Sequence, residues 1–305
     1  MGYKNPFTIL GMSVAKWADA SPEQLRRKKK EFLAALDMSH DAFLHLNEYS
    51  LGKQDLYDMF DELESEQLRN FHVLVAQQPR LHTFLINSRL DYFYDGDISS
   101  FSSYPKEFIE WISPWFAESY NVRLLHAYRQ RDLDELSILT VHSLPFDIAV
   151  QAQAYRDTYQ LLDEHRQSIQ VINDQISAGA PPQGELYELS EDWLISALNL
   201  LPPYFSQLRD GIGEALEQLA VSVYRRHQRG KLSLLIIRQA LKLSLSPSVS
   251  LSLRQLQASL FRMYPEEEWK SWLNDQRGEG INPWLVAAGV GALGIAVWLV
   301  SKWRG

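Results

Sequence analysis

The strongest constraint on the fold comes from an apolar run near the C-terminal end. Residues 283–303 read PWLVAAGVGALGIAVWLVSKW, without a charged side chain before Lys302. A helix rises about 1.5 Å per residue, so this run is long enough to cross a hydrocarbon core of about 30 Å. The run therefore predicts a transmembrane helix over 283–302, with a buried C-terminal helix as the alternative. Amphipathic rings, which favour a membrane interface, lie near both of its ends: Trp284, Trp298 and Trp303.

Small side chains along this run predict close packing of the helix within the bilayer. Small residues three or four positions apart let two transmembrane backbones approach each other, which predicts a homo-oligomer or packing on another membrane subunit. The alternative is that Gly and Ala are simply frequent in such helices. The predicted packing residues are Ala287, Ala288, Gly291, Ala292, Gly294 and Ala296.

Two signals bear on orientation, and they disagree. Lys302 and Arg304 in the short tail favour a cytoplasmic tail by the positive-inside tendency. The first 20 residues, however, show no secretory signal pattern, so export of the long N-terminal region is not expected. Two charges are a small barrier to translocation. We therefore expect a single-pass membrane protein whose N-terminal region faces the cytoplasm.

Composition and motifs argue against several kinds of site. The formal net charge of −8 disfavours general nucleic-acid binding. The chain has no cysteine, which excludes disulfides and thiolate chemistry, and its eight histidines are scattered. His40 and His45 are the closest pair, but they would face different sides of a helix, so no zinc site is expected. Phosphate-loop and nucleophile-elbow motifs are absent from the sequence. We expect no catalytic residue, metal or cofactor.

Helical patterns dominate the chain, and the predicted class is all-α. Pro145 precedes a long helix to about Ser177, with an a/d heptad from 148 to 176. Residues 216–244 resemble a tetratricopeptide-type hairpin, although only one such unit is visible and such units need stacked neighbours. The predicted segments are a helical module at 1–75, an aromatic-rich region with the heptad helix at 76–180, the hairpin region at 185–272, a linker at 273–282 and the anchor at 283–302.

Three segments of the first module occur in a familiar order. Asn5-Pro6-Phe7-Thr8-Ile9-Leu10-Gly11 opens it, the basic helix at 22–30 follows, and Phe60-Asp61-Glu62-Leu63 precedes Gln67-Leu68-Arg69. Together, residues 5–72 resemble a J domain, the co-chaperone module that activates heat-shock chaperone ATPases. The resemblance implies a scaffold that binds a chaperone ATPase or another protein through its basic helix. Plain solvation of these charges is the alternative. The implied partner-binding residues are Arg26, Arg27, Lys28, Lys29 and Lys30.

The chain departs from the J-domain pattern at its most characteristic point. J domains carry a His-Pro-Asp tripeptide after the second helix, where this chain has Asp37-Met38-Ser39. His40 and Asp41 follow, but without the proline and with different spacing. The departure implies that ATPase stimulation is lost while the scaffold persists. The insert over residues 40–54 is expected to form a small hairpin.

Three functions are compatible with these patterns. The first is a non-enzymatic, C-terminally anchored adaptor or co-chaperone-like protein that holds a protein partner at the bilayer. The second is a structural or assembly subunit of a larger membrane complex, with contacts made by the heptad helix and the small residues of the anchor. The third is a membrane-disrupting effector. The sequence favours the first.

Overall fold

The computed structural model describes residues 3–46, 49–94, 103–142, 144, 146–182 and 192–265. Within these ranges the chain is mainly helical, with one two-stranded hairpin, which confirms the predicted all-α character. Among the described helices, none combines the length and the apolar character needed to cross a membrane. The anchor predicted at 283–302 and its small packing residues lie outside the described residues.

The chain forms two compact units. The first comprises Met1–Leu124 and Leu144–Tyr155, and the second comprises Leu125–Ser143 and Arg156–Gly305. These two units are defined by contacts between residues. The five segments predicted from the sequence follow chain order and composition, and that division stays a prediction. From residue 6 to residue 177, the described elements are α1 (Pro6–Ile9), α2 (Val14–Trp17), α3 (Pro22–Asp37), β1 (Leu44–Leu46), β2 (Tyr49–Leu51), α4 (Lys53–Glu64), α5 (Glu66–Ala76), α6 (Pro79–Asn87), α7 (Asp91–Tyr94), α8 (Lys106–Arg129), α9 (Leu133–Thr140) and α10 (Ile148–Ser177).

The remaining described elements all belong to the second unit. They are α11 (Asp192–Leu200), a 3₁₀ turn (Pro203–Phe205), α12 (Ser206–His227), α13 (Gly230–Ala240) and α14 (Pro247–Met263). The predicted hairpin of residues 216–244 corresponds to the second half of α12 and to α13.

Local sequence sets the starts of the first helices. The Asn5 side chain accepts a hydrogen bond from the Phe7 amide at 3.0 Å, and Pro6 occupies the first turn of α1. At α3, Ser21 and Gln24 form a reciprocal capping box with bonds of 2.8 and 3.3 Å. These caps satisfy amide donors that an uncapped helix leaves without partners.

An antiparallel pair of helices forms the centre of the first unit. Arg26 of α3 lies beside Glu64 of α4, Lys29 beside Asp61, and Phe32 beside Phe60, so the two helices run in opposite directions. The fully buried Leu25 and Phe60 anchor the apolar core between them. That core is shared with α1 and the hairpin, and its buried members are Phe7, Ile9, Leu10, Met12, Ala20, Leu25, Leu36, Leu51, Leu56, Met59, Phe60 and Leu63.

The insert between α3 and α4 forms the expected hairpin. β1 and β2 pair antiparallel, with Leu44 opposite Leu51, His45 opposite Ser50 and Leu46 opposite Tyr49. Leu51 is buried, and Leu44 and Leu46 pack against the same core. Because successive side chains of a strand point to opposite faces, His45 and Ser50 share the exposed face.

In the second unit, the long helices α10, α12 and α14 run parallel to one another. The ring centre of Tyr159 in α10 lies 6.0 Å from that of Phe205, just before α12. Further along both helices, Asn173 of α10 accepts a hydrogen bond from Ser222 of α12. Because later residues of α10 contact later residues of α12, the two helices run in the same direction. The same holds for α12 and α14, where Asp210 bonds the Ser246 amide and Glu217 accepts a bond from Ser252.

Short helices return the chain between these long ones. α11 connects α10 to α12, and α13 connects α12 to α14. Arg209 donates to the carbonyls of Leu198 and Leu201, which closes the C-terminal end of α11. Asn199 bonds the Lys242 carbonyl and the Ser244 amide beyond α13, so the two return helices are linked. The α12–α13 hairpin is thus in contact with α10, α11 and α14.

Two glycines of α12 test this packing. A Cβ on Gly211 would meet only the flexible Arg166 side chain at 3.1 Å, whereas one on Gly213 would lie 2.8 Å from Leu245 and 3.3 Å from Val249. Both Ala substitutions gain helix propensity of about 1 kcal/mol. We expect Gly211→Ala to raise the free energy of unfolding by up to about 1 kcal/mol, and Gly213→Ala to lower it by about 1 kcal/mol through overpacking.

Urea unfolding followed by circular dichroism measures the difference between these two variants. Equal effects at both positions would contradict the close parallel packing of α12 on α14.

Candidate partner-docking surface

Helix α3 divides the basic run between two sides. Successive residues of a helix are about 100° apart, so the buried side that contains Leu25 and Leu36 also receives Lys29. Arg26, Arg27 and Lys30 fall on the opposite side. The five cations predicted as one binding surface are therefore not equivalent.

The side chains of Lys28 and Lys29 form ion pairs and ring contacts with other residues of the module. The Lys29 ammonium lies 2.7 Å from the Asp61 carboxylate and 4.5 Å from the ring centre of Tyr57, and its side chain is only 14% exposed. Lys28 bonds Glu31 at 2.8 Å and lies 5.3 Å from the ring centre of Phe32. Their aliphatic stems cover apolar surface while their charges are paired. Lys29 is the more buried of the two, whereas the Lys28 side chain is 31% exposed.

Arg26, Arg27 and Lys30 remain available on the outside. The Arg26 side chain is 66% exposed and lies 3.5 Å from Glu64, while Arg27 is 87% exposed and lies 3.8 Å from Glu31. Lys30 is exposed and has no ion pair among the described residues. Exposed pairs at these distances contribute at most about 1 kcal/mol, so a partner can displace them at little cost.

The same side of α3 ends in an exposed methionine. Met38, which follows α3, is 84% exposed, and Ala34 lies on the surface one turn before it. Positions 27, 30, 34 and 38 follow the spacing of one helix face. We define the α3 stripe as Arg26, Arg27, Lys30, Ala34 and Met38. It combines cationic and apolar contacts on a rigid helix.

The loop after α3 is organised around Asp41, in the region where J domains carry their tripeptide. Its carboxylate accepts hydrogen bonds from the Ser39 hydroxyl at 2.6 Å, the His45 Nε2 at 2.7 Å and the Phe43 amide at 3.2 Å. These bonds, that of Ser39 foremost, hold the pKa of Asp41 well below its ordinary value. The intervening Ala42 adopts a left-handed φ of 60°, an unusual conformation for a residue with a Cβ.

Ser50, His45 and Asp41 form a hydrogen-bonded line across the hairpin. The Ser50 hydroxyl lies 2.9 Å from His45 Nδ1, and the opposite ring nitrogen faces Asp41. The residue types are those of a hydrolase triad, which requires a nucleophile in a site that stabilises the oxyanion. Here the imidazole and the carboxylate are both more than half exposed on an open hairpin surface. The arrangement fixes the loop to the hairpin.

Sequence reasoning missed this network because it placed His40 and His45 on a helix. The antiparallel register brings His45 opposite Ser50, and no spacing rule for helices would pair them. The hairpin itself was expected, so strand alternation within the insert is the signal that would have found the pair.

A buried polar chain joins the N-terminal residues to α4 and α5. The Tyr3 hydroxyl lies 2.9 Å from His72 Nδ1, and His72 Nε2 lies 2.9 Å from the Glu62 carboxylate. Asn5 donates to the His72 carbonyl at 3.1 Å. Burial raises the pKa of Tyr3 far above its ordinary value, so its phenol stays protonated. The neighbouring carboxylates Asp61 and Glu62 thus bind different parts of the module, Lys29 of α3 and His72 of α5.

Comparisons with protein-family models, curated proteins and solved structures give no match to this chain. The J-like character of residues 5–72 therefore depends on the sequence motifs and remains a proposal. The described residues also contain no cluster of three or more side chains suited to hold a metal ion.

Acid should loosen the Asp41 loop. Since its pKa is depressed in the folded state, the carboxylate stabilises the loop above the unfolded pKa of about 3.9, and this contribution is lost as the pH falls below that value. We expect the free energy of unfolding, measured in urea, to fall as the pH is lowered from about 4 towards 2. Asp41→Asn should make this fall less steep, and Asp58→Asn, a control at another exposed carboxylate, should leave the slope unchanged.

Lys29 and Lys30 provide a matched test of the division along α3. Lys29→Ala removes a paired, largely buried stem, and we expect the free energy of unfolding to fall by about 1 kcal/mol. Lys30→Ala changes an exposed side chain and should stay within about 0.5 kcal/mol. Urea unfolding measures both values. A larger effect at Lys30 would show that the assignment of the two sides is wrong.

Proposed function

We propose that this chain is a non-enzymatic, membrane-anchored adaptor that holds a protein partner through the α3 stripe. The observation that carries the proposal is the division of the basic run. Lys28 and Lys29 stabilise the module, while Arg26, Arg27 and Lys30 stand on its outer side beside Met38. A rigid helix that offers both charge and apolar contact is suited to specific protein recognition.

The J-like motifs suggest a heat-shock chaperone ATPase as the partner. The order of segments and the antiparallel α3–α4 pair support this choice. Ser39 and Asp41 belong to a closed hydrogen-bond network in the loop that would have to act on the ATPase. We therefore propose binding without stimulation of ATP hydrolysis.

The apolar run at 283–302 supplies the proposed anchor. Tethering both molecules to one bilayer raises the effective concentration of the partner there, so a modest affinity at α3 suffices for recruitment. The proposed topology keeps α3 on the cytoplasmic side, where such chaperones occur.

The heptad helix favours the adaptor over an assembly subunit that binds through α10. Tyr155, Leu162, Ile169 and Ile176 recur every seven residues along α10, and all four are buried within the chain. Side chains that already pack inside the protein are not available for contacts between subunits. The small-residue face of the proposed anchor is still open to such contacts.

Flotation on vesicles tests anchoring and recruitment in one experiment. The full chain in phosphatidylcholine vesicles should float and carry a purified heat-shock chaperone ATPase with it. Deletion of residues 281–305 should leave the chain at the bottom of the gradient. The triple variant Arg26→Glu, Arg27→Glu and Lys30→Glu should float without the chaperone, because repulsion replaces attraction at the stripe.

The control is a triple charge reversal away from the stripe, at Lys4, Lys53 and Lys106. It should float and recruit like the unmodified chain, and the chaperone's rate of ATP hydrolysis should not change in any sample. Loss of recruitment in both triple variants would assign binding to net charge alone. A full chain that stays soluble without lipid would refute the anchor.

A further inference from the structure

A groove in the second unit presents a second interaction surface. It has a cavity volume of about 470 Å³ and runs along α12 where this helix faces α10. Its lining combines two carboxylates, three neutral polar groups and one aliphatic side chain: Asn173, Glu214, Glu217, Gln218, Val221 and Ser222. The groove shares no residue with the α3 stripe.

Helix α12 explains why the groove is there. Its neighbours bury the side that carries core residues such as Leu216, Leu219 and Val223. The opposite side stays open, and its exposed members are Gln207, Glu214, Gln218 and Arg225, of which Glu214 and Gln218 line the cavity. The open side of α12 forms the floor of the groove, and Asn173 of α10 lies beside it.

Hydrogen bonds from both neighbouring helices fix the walls of the groove. From α10, Ser177 donates to the Ser222 hydroxyl at 3.0 Å, and Ser222 donates to Asn173 at 2.7 Å. On the α14 side, Ser252 donates to the Glu217 carboxylate at 2.6 Å. A surface whose side chains are already ordered loses little conformational entropy when a partner binds.

All charged side chains in the lining of the groove are negative. Glu214 has no ion pair among the described residues, and the Glu217 carboxylate is held by a neutral hydroxyl. Arg166 of α10 lies with its stem over Gly211, and its guanidinium is paired with Asp163 at 2.8 Å. Arg225 is exposed on the same side of α12 but lies one turn beyond Val221, outside the lining of the groove. Two carboxylates one turn apart therefore face the groove without a compensating cation in its lining.

We propose that this groove binds a basic segment of a partner protein. Two lysine or arginine side chains one helical turn apart would meet Glu214 and Glu217, and an apolar side chain one further turn along would contact Val221. Cation recognition supplies specificity, and the contact at Val221 adds buried apolar area. The inference is independent of the function proposed for α3, since it rests on the second unit alone.

Fluorescence anisotropy of a labelled peptide tests the proposal on the full chain in a non-ionic detergent. The probe is a helical peptide of about 15 residues made of Lys, Leu and Ala, with a Glu-for-Lys peptide as its counterpart. We expect the Lys peptide to bind and the Glu peptide not to bind. The isosteric double variant Glu214→Gln and Glu217→Gln should weaken binding by about tenfold, with a smaller dependence on salt.

Two further variants separate the groove from general charge and from folding. Glu107→Gln with Glu164→Gln removes two exposed carboxylates elsewhere and should change binding by less than about twofold. Gln218→Trp leaves the charge unchanged, fills the groove from an exposed position and should also weaken binding. The double reversal Glu214→Lys and Glu217→Lys should transfer binding to the Glu peptide.

Three results would overturn the proposal. They are no binding of the Lys peptide, an equal loss in the groove and control double variants, or unchanged peptide affinity with Gln218→Trp. Sedimentation of the same samples identifies the other occupant. If the groove variants dissociate an oligomer of this chain without changing peptide affinity, the groove is an interface between copies.

Discussion

A packed α-helix leaves open whichever side its neighbours do not cover, and both proposed surfaces of this chain follow from that constraint. On α3, the core takes the side of Leu25 and Leu36, which leaves Arg26, Arg27 and Lys30 outside. On α12, packing covers the side of Leu216, Leu219 and Val223 and leaves the side of Glu214 and Gln218 open. The position of each charge is therefore determined by where the apolar residues must go.

Local signals in the sequence predicted the individual elements well. Ser21, Pro22 and Gln24 predict the start of α3, because capping depends on residues close together in the chain. The long helix expected after Pro145 is observed from Ile148 to Ser177. The insert between α3 and α4 forms the expected hairpin, since its short apolar alternation offers one face to the core.

Contacts between distant segments of the chain could not be predicted from these local signals. Arg166 and Asn173 look like faults in the heptad of α10, yet each lies against α12, with Arg166 over Gly211 and Asn173 bonded to Ser222. Lys29 looks like a solvated cation until Asp61 and Tyr57 are placed beside it by the antiparallel helix. The sequence does not show what packs on the α12–α13 hairpin, because the contacts of α12 with α10 and α14 join residues 35 to 49 positions apart.

The opposite signs of the two surfaces matter for an adaptor. A segment basic enough for Glu214 and Glu217 is repelled by Arg26, Arg27 and Lys30, so each surface rejects the ligand of the other without any additional device. Screening limits this discrimination to contacts within about 8 Å at physiological ionic strength, which confines it to the bound complex. Affinity must then come from apolar contact, which Ala34 and Met38 supply on α3 and Val221 supplies on α12. The same combination of charge for selectivity and apolar contact for strength thus recurs in both compact units.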